Sequence, residues 1–154
     1  MRLKPSGAAG HTEDMMRNLM LVLMMVAVPA LAAETDITSF YEVSTEGTST
    51  RLKAGDTGVV IISIKSKNGA HVSDEAPLKI ELSSKQGTLG KEKLTLADSV
   101  SNKTDKKADP RFEVPFTPTA HGNSTVEARM TFFICTEKQC ARQVKNLSLP
   151  VEVM

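Results

Sequence analysis

The sequence predicts an all-β fold, an antiparallel immunoglobulin-like β-sandwich of about seven strands preceded by a signal-peptide helix. Three observations lead there. Between Val126 and Cys135 the apolar side chains alternate without a break: Val126, Ala128, Met130, Phe132 and Ile134 share one face, and Glu127, Arg129, Thr131, Phe133 and Cys135 the other. That is the period-two pattern of a strand with one buried face. Turn residues separate several further β-branched runs, and no stretch after about residue 33 has helical periodicity.

Taken in order, Ile37–Val43 alternates weakly and reads as a first, edge strand. A polar loop follows over residues 44–50, and Lys53-Ala-Gly-Asp56 reads as a turn. Gly58–Lys65 contains Val59-Val-Ile-Ile62, an apolar run too short for a helix and rich in strand formers, which implies burial on both faces. Leu78, Ile80 and Leu82 define a further strand; residues 87–90 read as a turn, and Lys93–Leu96 as a short strand. Residues 97–110 are polar and charged and read as a loop. Arg111–Phe116 alternates again, but Pro115 has no N–H to give a ladder, so this strand is expected at a sheet edge or with a bulge. The last strand takes Val144, Leu147, Leu149, Val151 and Val153 as its apolar row, and the odd step between Val144 and Leu147 predicts a bulge.

The start of the chain reads as a processing segment. Arg17 precedes the apolar run Leu19–Val28, and Pro29-Ala-Leu-Ala32 ends in a small-x-small pattern, the plan of a secretory signal cleaved after Ala32. The run is shorter than the roughly 20 apolar residues that span a bilayer. Glu13 and Asp14 put negative charge ahead of it, which points to Met15 or Met16 as the true start. Residues 1–32 are thus expected to be an over-called start plus signal, and residues 33–154 the sandwich domain, periplasmic or secreted and without stable membrane insertion.

Composition excludes some functions. Loss of residues 1–32 takes Arg2, Lys4, Arg17, Glu13 and Asp14 from the chain's 19 basic and 18 acidic residues and leaves 16 of each. A balanced surface lacks the positive field that dominates nucleic-acid binding, so nucleic acid is not an expected partner. No nucleophile elbow, phosphate-binding glycine loop or paired-carboxylate motif is present. No cofactor is expected. His71 and His121 are the only histidines after residue 32 and have no metal-ligand spacing, so no metal site is expected either.

The remaining chemical handle is the pair Cys135 and Cys140, separated by Thr136-Glu-Lys-Gln139 in a predicted hairpin. In an exported chain two cysteines suggest one disulfide. Facing positions of an antiparallel pair are close enough to accept it, at roughly 4.5–5.5 Å between Cα atoms. Parity puts Cys135 off the inward row, so the pair is expected near the surface at one end of the sandwich. So short a ring stabilises the fold by only about 2 kcal/mol. That small gain leaves room for a redox role beside the alternative, a structural clip in a non-catalytic binding or structural module. Exchange chemistry needs an accessible thiolate in a positive field. Lys138 and Arg142 flank the pair, and His71 is a further candidate thiol-tuning neighbour.

Asn68-Gly-Ala-His-Val-Ser-Asp-Glu-Ala-Pro77, Phe112-Glu-Val-Pro-Phe116 and Phe133-Ile-Cys135 with Cys140 close behind occur in that order. This order resembles the N-terminal periplasmic domain of the DsbD thiol:disulfide interchange proteins and the small secreted bacterial proteins related to it, over roughly residues 58–153. The resemblance implies an immunoglobulin-like fold. It also implies that Cys135 and Cys140 match the pair which takes electrons from a DsbD-type membrane protein and passes them to thioredoxin-like periplasmic proteins. The chain departs from that pattern in a cysteine interval one residue shorter, and in Ala141-Arg-Gln143 where aromatic and proline residues surround the second cysteine.

Overall fold

The computed structural model describes residues 36–102 and 108–154. The expected signal segment and the middle of the expected 97–110 loop lie outside the described residues. Within them the chain forms ten strands. These are β1 (Tyr41–Ser44), β2 (Arg51–Leu52), β3 (Gly58–Ser66), β4 (His71–Val72), β5 (Lys79–Ser84), β6 (Gly87–Leu89), β7 (Lys93–Thr95), β8 (Arg111–Pro118), β9 (Gly122–Cys135) and β10 (Cys140–Val153). They make two sheets, one ordered β1-β3-β8-β6 and the other β2-β10-β9-β5-β7, with β4 added alongside β9. Every pairing is antiparallel except the short parallel contact of β2 with β10. The fold is an all-β sandwich, as the alternation of β9 requires.

The core lies between the sheets. Val60, Ile62 and Ile64 of β3 and Phe112, Val114 and Phe116 of β8 meet Ile80 and Leu82 of β5, the Val126–Ile134 row of β9, and Leu149, Val151 and Val153 of β10. Phe112, Phe116 and Phe132 are the largest side chains removed from solvent. Burial of an aliphatic or aromatic side chain is worth about 1.5–3 kcal/mol, so these rows dominate the stability of the domain. Strand β3 is central and buried on both faces, as its apolar run predicts. Its outward Ile61 is covered by the 45–50 loop, where Gly47 (φ 89°) packs so closely that an added Cβ would lie 3.0 Å from Ile61 Cδ1. Thr48 Oγ1 takes the Ile61 N–H at 2.9 Å, and Ser49 Oγ takes the Val59 N–H at 3.0 Å, so the loop extends the sheet edge through side chains.

Four local expectations are corrected. Residues 37–40 form a 3-10 turn rather than a strand, because Asp36 caps it: its carboxylate accepts the Thr38 N–H at 3.0 Å and the Thr38 hydroxyl at 2.8 Å. Residues 87–89, expected as a turn, form β6 and pair with Phe116–Pro118. Strand β8 is interior, between β3 and β6, despite Pro115. Opposite it, Val59 turns both backbone groups to Ser49, so the Val59/Pro115 pair requires no hydrogen bond. The Pro115 carbonyl accepts from Gly90 N–H just past the end of β6. The fourth correction concerns β10, which has no bulge: its register with β9 is continuous from Cys140/Cys135 to Val153/Gly122.

Continuous register puts Gln143, Lys145 and Leu147 on the inward row of β10 and turns Val144 outward, 40% exposed. A buried glutamine needs partners, and it has them. Tyr41 of β1 donates its hydroxyl to Gln143 Oε1 at 2.9 Å, and Gln143 Nε2 donates to the Arg142 carbonyl at 3.0 Å. Lys145 Nζ lies 5.6 Å from the centre of the Tyr41 ring, and that ring meets Phe132 edge-to-face at 5.2 Å. Tyr41 thus closes the side of the sandwich where β1 faces β10.

Candidate functional site: a hairpin disulfide at a sheet edge

The β9–β10 hairpin turns through Thr136–Gln139. Thr136 N–H donates to the Gln139 carbonyl at 2.8 Å, and Thr136 Oγ1 accepts from the N–H groups of Lys138 and Gln139 at 3.3 Å each. Hydrogen-bonded and non-hydrogen-bonded pairs alternate along an antiparallel ladder. With Thr136/Gln139 bonded, Cys135/Cys140 is the non-bonded kind, in which side chains approach most closely. The Cα atoms are 4.0 Å apart and the two sulfurs form a disulfide.

The two halves of the disulfide have different surroundings. Both cysteines face outward by parity, as expected, but Cys135 is only 4% exposed. It is an interior position of the sheet, with Cys140 on one side and His71 of β4 directly opposite on the other. Cys140 begins β10 and is exposed. The expectation of a pair lying near the surface is therefore corrected for Cys135, because β4, too short to show any periodicity, pairs beside it.

His71 is thus a register neighbour of Cys135 on the same face, and it is exposed. It also lines a cleft of about 370 Å³ with Val72, Asp74 and Leu96. Arg142 is the next outward residue after Cys140 on β10 and stands opposite Phe133. Lys138 is at the exposed tip of the turn. Hence His71, Arg142 and the disulfide share the outer face at one end of the second sheet, and Lys138 borders it. Among the described residues no group of three or more His, Cys, Asp or Glu side chains stands close enough to hold a metal ion. No helix among them is long and apolar enough to cross a membrane.

Sequence reasoning missed one component, the outer edge of β10. The inward residues of β10 are bonded to β9, so the backbone groups of Cys140, Arg142, Val144, Asn146 and Ser148 point the other way. Strand β2 covers that edge only from Glu152 onward, where Glu152 N–H donates to the Thr50 carbonyl. The signal for it was present in the 14-residue length of β10, which far exceeds what a two-residue neighbour can cover.

Fold and site together define a class: a β-sandwich with a hairpin disulfide that joins a buried cysteine to an exposed one, beside an edge of β10 that is unpaired from Cys140 to Ser148 among the described residues. No protein-family model matches the chain, and no curated protein matches it.

Proposed function

We propose that this protein is an exported thiol–disulfide exchange module of the kind represented by the DsbD N-terminal domain, working through Cys135 and Cys140. The observation that carries the reading is the unequal exposure of the two cysteines. An incoming thiolate has access to Cys140, while Cys135 is 4% exposed. Attack on Cys140 Sγ forms a mixed disulfide, breaks the Cys135–Cys140 bond and leaves the electron pair on Cys135 Sγ, which takes up a proton. A second thiolate of the same partner then attacks its own mixed-disulfide sulfur and releases Cys140. The partner dithiol is oxidised, and this protein leaves as the dithiol. In reverse, the reduced protein hands two electrons to an oxidised partner by attack from Cys140.

Thioredoxin-like periplasmic proteins and a DsbD-type membrane protein fit the two ends of such a relay. Arg142 follows Cys140 on the outer face and Lys138 lies in the turn, a mildly basic field that Glu137 offsets, and His71 borders Cys135. The continuous β9–β10 register away from the bond supports a hairpin that persists when the bond opens.

One observation favours a second reading, in which the bond is a clip in a non-catalytic exported module. A thiolate freed at Cys135, which is 4% exposed, would be poorly solvated and so a slower leaving group. The reduction potential separates the two. Exchange activity predicts a value near that of thioredoxin-like carriers, about −270 mV, and a value below about −300 mV overturns it. Cys135→Ser, which leaves Cys140 to hold a partner, is expected to trap a mixed disulfide with a thioredoxin-like protein, and Cys140→Ser is not.

A further inference from the structure

The open edge of β10 has a length, a pattern and a position that define an occupant. Alternate residues Cys140, Arg142, Val144, Asn146 and Ser148 direct their N–H and C=O groups away from β9, and all five are exposed. Among the described residues these groups have no backbone partner; the only hydrogen bond to them is the one from Gln143 Nε2 to the Arg142 carbonyl. At the far end the row is closed by Pro150, which occupies an outward position without an N–H, and by β2 from Glu152 onward. A sheet edge with a row of free donors and acceptors is a template for an added strand. This one begins at Cys140, the exposed residue of the disulfide.

We infer that the β10 edge from Cys140 to Ser148 docks an extended segment of a thiol-bearing partner polypeptide by strand addition, setting the partner's cysteine against Cys140. The inference rests on the exchange reading above and names how that site recognises its partner. Backbone hydrogen bonds supply sequence-tolerant affinity, and the outward side chains set preference. An acidic residue two positions from the partner's cysteine falls opposite Arg142, and a β-branched residue four positions from it falls opposite Val144. Such cross-strand pairs add to the stability of the new ladder. A second copy of this chain is a poorer occupant. Two-fold pairing along the whole row, centred on Val144, sets each Cys140 opposite a Ser148 and brings no thiol to the disulfide. The chemistry is the step already written: the docked thiolate bonds to Cys140 Sγ, and Cys135 Sγ leaves with the electron pair.

The test compares two thiols on the oxidised protein. One is a blocked nonapeptide with a cysteine at one end, an aspartate two residues on and a valine four residues on; the other is 2-mercaptoethanol. The expected result is mixed-disulfide formation at least tenfold faster with the peptide, after correction for thiol pKa. That ratio falls toward one in Val144→Pro, whose missing N–H belongs to the edge and not to the β9 ladder. Hydrogen exchange on the wild-type mixed disulfide gives the same answer without a variant. The amides of Arg142, Val144, Asn146 and Ser148 gain protection of at least tenfold with the peptide and not with 2-mercaptoethanol. Equal rates for the two thiols, or no added protection of these amides, overturn the dock and leave exchange standing. No reaction with either thiol overturns both. Protection of the same amides in the free protein, accompanied by a dimeric mass, assigns the edge to a second copy and overturns the dock.

Discussion

Tyr41 and Gln143 meet across the open side of the sandwich, the hydroxyl of one donating to the side-chain carbonyl of the other at 2.9 Å. Tyr41 is 6% and Gln143 9% exposed, so neither can exchange this bond freely for water. Tyr41→Phe strands the glutamine oxygen, and the cost of such a buried orphan is about 1–3 kcal/mol. Gln143→Leu in the same background removes the orphan and is expected to recover most of the loss. Urea unfolding of the two single variants and the double variant measures it, with an interaction energy between the sites as the outcome.

Gly87 provides a second test of packing. It lies at the crossing from β5 in one sheet to β6 in the other, and a Cβ built there would stand 2.2 Å from Phe116 Cε2 and 3.0 Å from the Thr117 carbonyl oxygen. Phe116 is 1% exposed. Gly87→Ala is therefore expected to destabilise by about 1–3 kcal/mol through overpacking. A lower midpoint of thermal unfolding, with the sheet signature retained in circular dichroism, is the readout.

Much of this fold was legible because its inward rows are apolar. Val126–Ile134, Leu78–Leu82 and the Val59–Ile62 run each announced their strand and its burial. Apart from β8, where the Val59/Pro115 pair needs no hydrogen bond, the misreadings fall where a polar side chain takes an inward position, or where an element is too short for a period. At β10 the inward Gln143 and Lys145 look like surface residues until Tyr41, 102 residues away from Gln143 in sequence, supplies a hydroxyl and a ring. Val144 then passed for the core residue, and a bulge had to be supposed to accommodate it. Strands β2, β4 and β6 have two or three residues each and exist only through their partners. The candidate site was half visible. Spacing placed the cysteines across a hairpin, but the burial of Cys135 depends on β4, and the open edge depends on which strand lies beside β10.

Acid should weaken the domain through its carboxylates, with Asp98 as the most sheltered of those affected. A hydrogen bond from Lys91, then one from the Thr95 N–H at 2.9 Å, hold its carboxyl below the usual aspartate range. A depressed folded pKa means that the stabilisation is complete above the unfolded value, close to 4, and is lost as pH falls through the lower folded value. Asp98→Asn should cost about 1 kcal/mol or less at pH 7, and the gap to wild type should close below pH 4. Asp36, Glu42 and Glu81 are shifted in the same direction by Thr38, Lys67 and Lys79. Their titration keeps an acid limb in the variant, which urea midpoints from pH 7 to pH 3 would trace.

Reduction should open the disulfide without opening the fold. The ring from Cys135 to Cys140 is short, so closing it restricts the unfolded chain little, and its loss costs about 2 kcal/mol. The β9–β10 register and the buried apolar rows extend along both strands well away from the bond. The double variant Cys135→Ser/Cys140→Ser is expected to fold with the same sheet content and a modestly lower urea midpoint. In the reduced wild-type protein the two thiols should differ sharply, because alkylation requires a solvent-accessible thiolate. Cys140 is exposed beside Arg142, whereas Cys135 is 4% exposed between β4 and β10. Iodoacetamide followed by peptide mass analysis should find Cys140 modified at least ten times faster at pH 7. Equal rates would mean that the β4 contact opens on reduction, and would remove the basis for assigning attack to Cys140.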